Sequence, residues 1–140
     1  MSLVFSHVAL NCQDPVATEQ FYVRHFGFRR ARVIPLGAEQ IVFLKAGSVY
    51  LELFQAKGDP PGPAQEKDGP GYQGVRHIAF QVNDVDATLA AMGADASVTL
   101  GPLDFGAFIP GWRTAWVRDP DGNIVEVSQG YTDQDDPPQL

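Results

Sequence analysis

The alternation of apolar and polar residues predicts the same succession of elements in each half of the chain. The first half reads as a strand, a helix and three further strands, at about residues 4–12, 14–27, 29–36, 39–46 and 48–55. Asp14-Pro15 supplies an N-cap and a proline at the first helical position, and Gly27 ends the helix. Ala46-Gly47 is the expected turn between the last two strands.

The second half begins after a segment rich in glycine, proline and charge at 56–74, which predicts a linker. The pattern then predicts a strand, a helix capped by an aspartate, another strand and an irregular stretch, at about 76–82, 84–93, 96–100 and 101–112. The chain closes with a hairpin formed by RTAWVRD and NIVEVSQ around the turn Pro120-Asp121-Gly122. The predicted organisation is a first module at 1–55, the linker at 56–74, a second module at 75–130 and a disordered tail at 131–140.

The two halves also share sequence. HVALNCQDPVAT at 7–18 recurs as HIAFQVNDVDAT at 77–88, and YLELFQ at 50–55 recurs as IVEVSQ at 124–129. Self-similarity of this kind indicates two copies of one structural unit. Each copy contributes one histidine and one glutamate, and all four residues lie in strand-like sequence: His7, Glu52, His77 and Glu126.

Composition and charge exclude several classes of function. A net charge of −7 without a basic stripe opposes binding to nucleic acid. No apolar run approaches the roughly 18 residues of a membrane span, and no secretory signal is visible, so we expect no membrane partner. The single cysteine, Cys12, is expected to be a small buried residue, and its lack of a disulfide partner favours a cytoplasmic setting.

The period-two geometry of strands places the four repeated residues on one kind of face. In each copy the histidine and the glutamate lie opposite the large aliphatic residues that would seat a helix. Two imidazoles and two carboxylates suit one divalent ion per site (Zn, Ni, Co, Mn or Fe(II)), without an organic cofactor. We therefore predict His7, Glu52, His77 and Glu126 as metal ligands, with Glu52 and Glu126 also as catalytic proton carriers.

The neighbours of these four residues are candidates for contact with a small-molecule substrate. They are amide, aromatic and cationic side chains on or beside the same strands: Asn11, Tyr50, Phe54, Gln81, Arg113 and Trp116. Arg113 could hold a carboxylate or phosphate, and residues 101–112 could form a lid, although ordinary packing roles are equally open. His25 near the helix end and the aspartates of the turn at 119–121 are expected to be structural.

At this point the chain resembles the vicinal oxygen chelate superfamily. The segments that carry the resemblance are HVAL, FYVRHFGF, YLELF, RHIAFQVNDVDAT and DPDGNIVEV, and they extend from His7 to about Gln129. The resemblance implies an α+β fold of two tandem βαβββ modules that form a curled mixed sheet around a metal-centred cleft. It also implies the same four ligand positions and a homodimer. In some members of the superfamily, each metal site combines ligands from two subunits.

Within that superfamily the ligand set is most similar to glyoxalase I and methylmalonyl-CoA epimerase. The function implied is a metal-dependent lyase, or an isomerase or epimerase, that stabilises an enediolate or enolate of a small oxygen-chelating substrate. Asn11 and Ala56 occupy positions where bacterial glyoxalase I carries arginine and asparagine, which argues against glutathione. Two alternatives stay open: an Fe(II) ring-cleaving dioxygenase, and a metal-free protein that binds a small ligand.

Overall fold

The structure, a computed structural model, describes residues 2–140 and has the predicted succession of elements. Its helices and strands within that range are β1 His7–Cys12, α1 Pro15–Phe26, β2 Arg29–Leu36, β3 Glu39–Ala46, β4 Val49–Gln55, β5 Ile78–Gln81, α2 Val85–Met92, β6 Val98–Asp104, β7 Arg113–Arg118 and β8 Ile124–Gln129. A short 3₁₀ turn at Gly93–Asp95 follows α2.

The strands form two four-stranded mixed sheets within the described residues, in the orders β1-β4-β3-β2 and β5-β8-β7-β6. The first strand of each sheet pairs in parallel with the last, and the remaining pairs are antiparallel. The chain divides into two compact units, one of residues up to 64 with 119–123 and one of residues 65–118 with 124–140. The predicted α+β class and the two βαβββ modules are confirmed.

Each helix covers the aliphatic face of its own sheet. In the first unit the buried residues on that face are Cys12, Val42, Leu44, Leu51 and Leu53. In the second unit they are Ala115, Val117, Val125 and Val127. Burial of one such Val or Leu side chain stabilises the fold by roughly 1.5–3 kcal/mol. The opposite face of each sheet is left to the polar and aromatic residues, which is where the repeated histidines and glutamates lie.

The turn between β7 and β8 belongs to the first unit, where its carboxylates bind α1. The Tyr22 hydroxyl donates to Asp119 Oδ2 at 2.7 Å, and Thr18 Oγ1 donates to Asp121 Oδ2 at 2.6 Å. Burial raises the pKa of Asp119, and burial together with the nearby Asp121 carboxylate raises the pKa of the Cys12 thiol to about 12. Cys12 is therefore a protonated core residue, as expected from its sequence context.

Several sequence-based strand boundaries were wrong, and the strands expected from residues 76 and 96 begin two residues later, at Ile78 and Val98. The first strand begins at His7 rather than residue 4, and Val4 and Phe5 are exposed. The segment expected to be irregular from residue 101 continues strand β6 as far as Asp104, with register shifts against β7. A glycine and a proline in that segment hid the strand, because both residues are ordinarily depleted in strands.

Residues 56–74 contain no helix or strand, and no helix among residues 2–140 is long and apolar enough to cross a membrane.

The hydrogen bond between Tyr22 and Asp119 gives a test of the first unit's core. Tyr22→Phe should lower the free energy of unfolding by about 1–2 kcal/mol, since the buried carboxylate loses one donor and keeps those of Asn123. Urea denaturation monitored by circular dichroism measures the change. Tyr72→Phe, which removes a hydroxyl from a side chain that is 74% exposed, is the matched control and should have no effect.

Candidate metal centre

In the first unit, β1 and β4 bring His7 and Glu52 together. Parallel pairing sets Ala9 opposite Glu52. Because His7 lies two residues before Ala9 on the same strand, the side chains of His7 and Glu52 project from the same face of the sheet. His7 Nε2 lies 3.3 Å from Glu52 Oε1, and Nδ1 of the same ring is hydrogen-bonded to Ser6 Oγ at 2.8 Å. The ring of Phe43, from β3, meets the imidazole edge-on at a centroid distance of 5.9 Å.

In the second unit, His77, which directly precedes β5, and Glu126 of β8 repeat this arrangement. Ala79 is opposite Glu126, and His77 Nε2 again lies 3.3 Å from Glu126 Oε1. His77 Nδ1 lies 2.6 Å from the carbonyl oxygen of Asp68. Because a carbonyl only accepts, Nδ1 carries the proton, which turns Nε2 toward the carboxylate. Trp116, from β7, takes the position of Phe43, with ring centroids 6.2 Å apart.

The donor atoms of each pair fit adjacent positions on a divalent ion. Two ligands held at about 2.0–2.1 Å, with an angle of roughly 90–110° at the ion, lie about 2.9–3.4 Å apart. Both observed separations of 3.3 Å fall in that range. A protonated histidine bound to a carboxylate would give the same separation. Among residues 2–140 no group of three or more His, Cys, Asp or Glu side chains could hold a metal ion, so one pair alone does not complete a site.

Glu126 has an unusual electrostatic environment. Burial raises the pKa of its carboxyl, while His77, the indole of Trp116 and the hydroxyl of Thr114 act in the opposite direction. Trp116 Nε1 is buried and makes no hydrogen bond within ordinary distance and angle limits, although it lies close enough to Glu126 to affect that pKa. A buried N–H without a hydrogen-bond partner is costly, so this indole N–H remains available to donate a hydrogen bond beside the carboxylate.

A cavity of about 200 Å³ opens beside Glu126 in the second unit. It is lined by Ala79, Phe80, Gln81, Trp112, Glu126, Ser128 and Tyr131. Among the predicted substrate-binding residues, Gln81 therefore lies next to Glu126. Trp116 is 5% exposed and packs edge-on against His77, so it supports the histidine rather than lining this cavity.

The first unit places its predicted substrate-binding residues around Glu52. Tyr50 and Phe54 share the face of Glu52 on β4, and Asn11 is paired with Phe54. The ammonium of Lys45 lies 5.3 Å from the centre of the Tyr50 ring, an interaction that occupies one face of the ring. Asn11 also lines a separate cavity of about 420 Å³ formed with residues 56–61 and the turn residues Pro120 and Asp121.

Arg113 is not brought to either pair. Its register opposite Gln129 puts it on the helix-covered face of the second sheet, where it makes two hydrogen bonds to Asp86 of α2, at 3.0 and 2.9 Å. This hydrogen-bonded pairing lowers the pKa of Asp86 and raises that of Arg113. The third histidine, His25, packs against Phe21 on α1, with ring centroids 5.3 Å apart.

Sequence reasoning missed several residues around the two pairs. Phe43 could have been found by aligning β3 with β7, since it corresponds to Trp116. Tyr131 falls in the predicted tail, yet it lines the cavity at Glu126. Asp68 lies in the predicted linker, yet its carbonyl orients His77. Neither of the last two carries a local signal, because each acts through a tertiary contact.

This duplicated geometry agrees with a comparison of the whole chain with known protein families. The family model of the Glyoxalase/Bleomycin resistance protein/Dioxygenase superfamily matches residues 4–127. The chain belongs to this superfamily. The matched range contains all four residues of the two His–Glu pairs.

The similar proteins have low sequence identity to this chain, and their names indicate different functions. The uncharacterized protein YwkD of Bacillus subtilis strain 168 is 30% identical over 83 residues, which make up 57% of this chain and only 62% of YwkD. Lactoylglutathione lyase from Agrobacterium tumefaciens is 29% identical, with a TM-score of 0.58, over 93% of this chain and 95% of the lyase. TnmS3, an antibiotic binding protein from Streptomyces sp. CB03234, has a TM-score of 0.66 at 23% identity over 94% and 99% of the two chains, and it shows the fold alone.

The pair of Arg113 and Asp86 gives a test by titration. Arg113→Gln should raise the pKa of Asp86 back toward the ordinary range of an aspartate, because the hydrogen bond from Arg113 that lowers it is lost. In the native protein the pair stabilises the fold above that ordinary pKa, and the contribution is lost as pH falls through the lower folded-state pKa. Carboxyl NMR measures the titration. Arg76→Gln, which removes an arginine bound to a different aspartate, Asp68, should leave Asp86 unchanged.

Proposed function

We propose that this protein is a glyoxalase-like metalloenzyme, a lyase or an isomerase or epimerase that acts on a small substrate with neighbouring oxygen atoms. The observation that supports it most is the duplicated pair of donors. His7 with Glu52 and His77 with Glu126 have the same Nε2 to Oε1 separation of 3.3 Å. In both histidines Nδ1 is hydrogen-bonded, which is how proteins orient histidines that bind metals.

Each pair supplies half of a metal site, and a second copy of the chain supplies the other half. A catalytic zinc ordinarily has three protein ligands, and each pair offers only two. In a symmetric dimer, two identical sites can each join the pair of His7 and Glu52 from one protomer to the pair of His77 and Glu126 from its partner. Two carboxylates then balance the charge of one divalent ion.

Glu126 carries the proton in this mechanism. It lines the cavity of about 200 Å³, where a substrate carbon can approach its carboxylate. The carboxylate removes the proton from the carbon beside the substrate carbonyl and returns it to the same carbon or its neighbour. When bound, the divalent ion supplies Lewis-acid polarisation of that carbonyl. Gln81 and Ser128, which line the same cavity, offer hydrogen bonds that orient the substrate oxygens.

A metal-free ligand-binding protein is the second candidate function. The cavity beside Glu126 favours it, because aromatic side chains form part of its wall without any contribution from a metal.

The ring-cleaving dioxygenase has less support. Such an enzyme needs a further histidine beside its metal, and His25 is instead packed against Phe21 on α1.

Metal stoichiometry tests the proposal. Purified protein reconstituted with Zn, Ni, Co or Mn and then desalted should retain about one ion per chain, because a symmetric dimer has two sites. His77→Gln should remove most of the bound metal, whereas His25→Gln, at the one histidine outside the pairs, should leave it unchanged. Retention of less than about 0.1 equivalent of every ion by the native protein would rule out the metal site.

A mixing experiment tests whether two chains share each site. His7→Gln and His77→Gln chains should each fail to retain metal alone. If the sites lie between chains, a dimer of one variant with the other has one intact site, so refolding an equal mixture should restore about one quarter of the native metal content. If all four ligands came from one chain, the mixture would stay empty, and the shared-site part of the proposal would be wrong.

A further inference from the structure

Two of the aromatic residues that line the cavity beside Glu126 come from outside the strands. Trp112 precedes β7 and Tyr131 follows β8, and their ring centroids lie 6.3 Å apart at an interplanar angle of 65°. The polar lining comes from the side chains of Gln81, Glu126 and Ser128. The cavity therefore joins an aromatic surface to a set of hydrogen-bonding groups that includes the proposed catalytic carboxylate.

Trp112 is fixed in place on both sides. Its Nε1–H donates to Ser128 Oγ at 3.2 Å, and the Phe105 ring lies behind it at a centroid distance of 5.1 Å. The loop that carries it is closed by its own backbone, where Phe105 N–H donates to the Trp112 carbonyl at 2.8 Å and Trp112 N–H donates to the Ile109 carbonyl at 3.0 Å. A ring held in this way loses little freedom when a ligand packs on it.

Tyr131 is positioned by the glycine before it. Gly130 has φ +79°, and a Cβ at that position would lie 2.1 Å from the Gly111 carbonyl oxygen and 3.0 Å from the Trp112 nitrogen. Only glycine permits this approach of the C-terminal segment to the loop. The contact sets Tyr131 beside Trp112, although 49% of the tyrosine surface is still exposed. The backbone contact between Gly130 and Gly111 thus positions the aromatic wall of the cavity.

We propose that this cavity binds a neutral, single-ring aromatic group of the substrate, with an oxygen substituent directed toward Glu126, Ser128 and Gln81. The proposal rests on the proposed function, because it takes Glu126 as the group that acts on the substrate. It adds a substrate class: an aryl ketone that carries a second oxygen on the neighbouring carbon, whose ring packs against Trp112 and Tyr131. Aromatic rings favour edge-on or offset packing against such side chains at centroid distances of roughly 4.5–7 Å.

Size and charge define this class. A buried cavity of about 150 Å³ binds benzene, so about 200 Å³ accommodates one ring with a small substituent. None of the residues that line the cavity is a lysine or an arginine, and Glu126 is acidic. Arg113 is bound to Asp86 on the helix-covered face of the sheet. No side chain in the cavity lining therefore supplies a cation to a carboxylate or phosphate, so without a bound metal the cavity disfavours anionic ligands.

Binding of three small probes tests this inference, with EDTA present so that no metal is needed. Isothermal titration or saturation-transfer NMR on the full chain measures acetophenone, its non-aromatic counterpart cyclohexyl methyl ketone, and the anion benzoate. Acetophenone should bind saturably, cyclohexyl methyl ketone about threefold or more weakly, and benzoate at least about tenfold more weakly. No saturable binding of acetophenone up to its solubility limit would overturn the inference, as would equal affinity for the three probes.

Substitutions in the aromatic wall locate the binding. Tyr131→Ala removes a half-exposed side chain and should weaken acetophenone binding about fivefold, as should Trp112→Leu if that variant folds. Phe108→Ala is the matched control, because Phe108 is 77% exposed and does not line the cavity, and it should bind as the native protein does. Affinity within twofold of native for Tyr131→Ala would overturn the inference. If metal retention fails while acetophenone binding holds, the proposed metalloenzyme is wrong and the aromatic site stands.

Discussion

The parallel pairing between the first and last strands of each module is the constraint on which the site depends. Ala9 opposite Glu52 and Ala79 opposite Glu126 fix the register, and this register puts a histidine and a glutamate on the same face with their side chains in contact. A shift of one residue in either strand would turn that strand's polar set into the core, where helix α1 or α2 packs. The burial of the aliphatic face thus holds the donor pair in position, so core stability and site geometry have the same cause.

The two modules share this backbone register but surround it with different side chains. Phe43 stands beside the first pair, whereas Trp116 stands beside the second and adds a buried indole N–H close to Glu126. Tyr50 and Phe54 flank Glu52, whereas Ile124 and Ser128 flank Glu126 at the equivalent positions. A cavity lined in part by Glu126 lies in the second unit. Under the proposed function, the duplicated residues would bind the ion, and the residues that differ between the modules would recognise the substrate.

Much of this arrangement could be predicted from the sequence, because it depends on local periodicity. The order of elements, the caps at Asp14 and Asp84, and the shared face of each histidine with its glutamate all follow from patterns of a few residues. The cavity wall could not be predicted. It depends on the close approach of Gly130 to Gly111, which are far apart in sequence. The pattern of hydrophobic residues does not indicate that these two glycines meet. The sequence also did not indicate that Arg113 binds Asp86. The face of a strand on which a residue lies can be predicted, but its partner there depends on which helix covers that face.

The second pair is also the more firmly oriented of the two. His77 Nδ1 is held by a backbone carbonyl at 2.6 Å, whereas His7 Nδ1 is held by the side chain of Ser6 at 2.8 Å. A carbonyl fixes which nitrogen is protonated, but a hydroxyl can donate or accept and so leaves the tautomer of His7 free. His77 is also the less exposed, with 20% of its side chain accessible against 39% for His7. Orientation, burial and the aromatic cavity all favour the second unit, so under the proposed function Glu126 rather than Glu52 is the expected proton carrier, and the first pair serves as metal ligands.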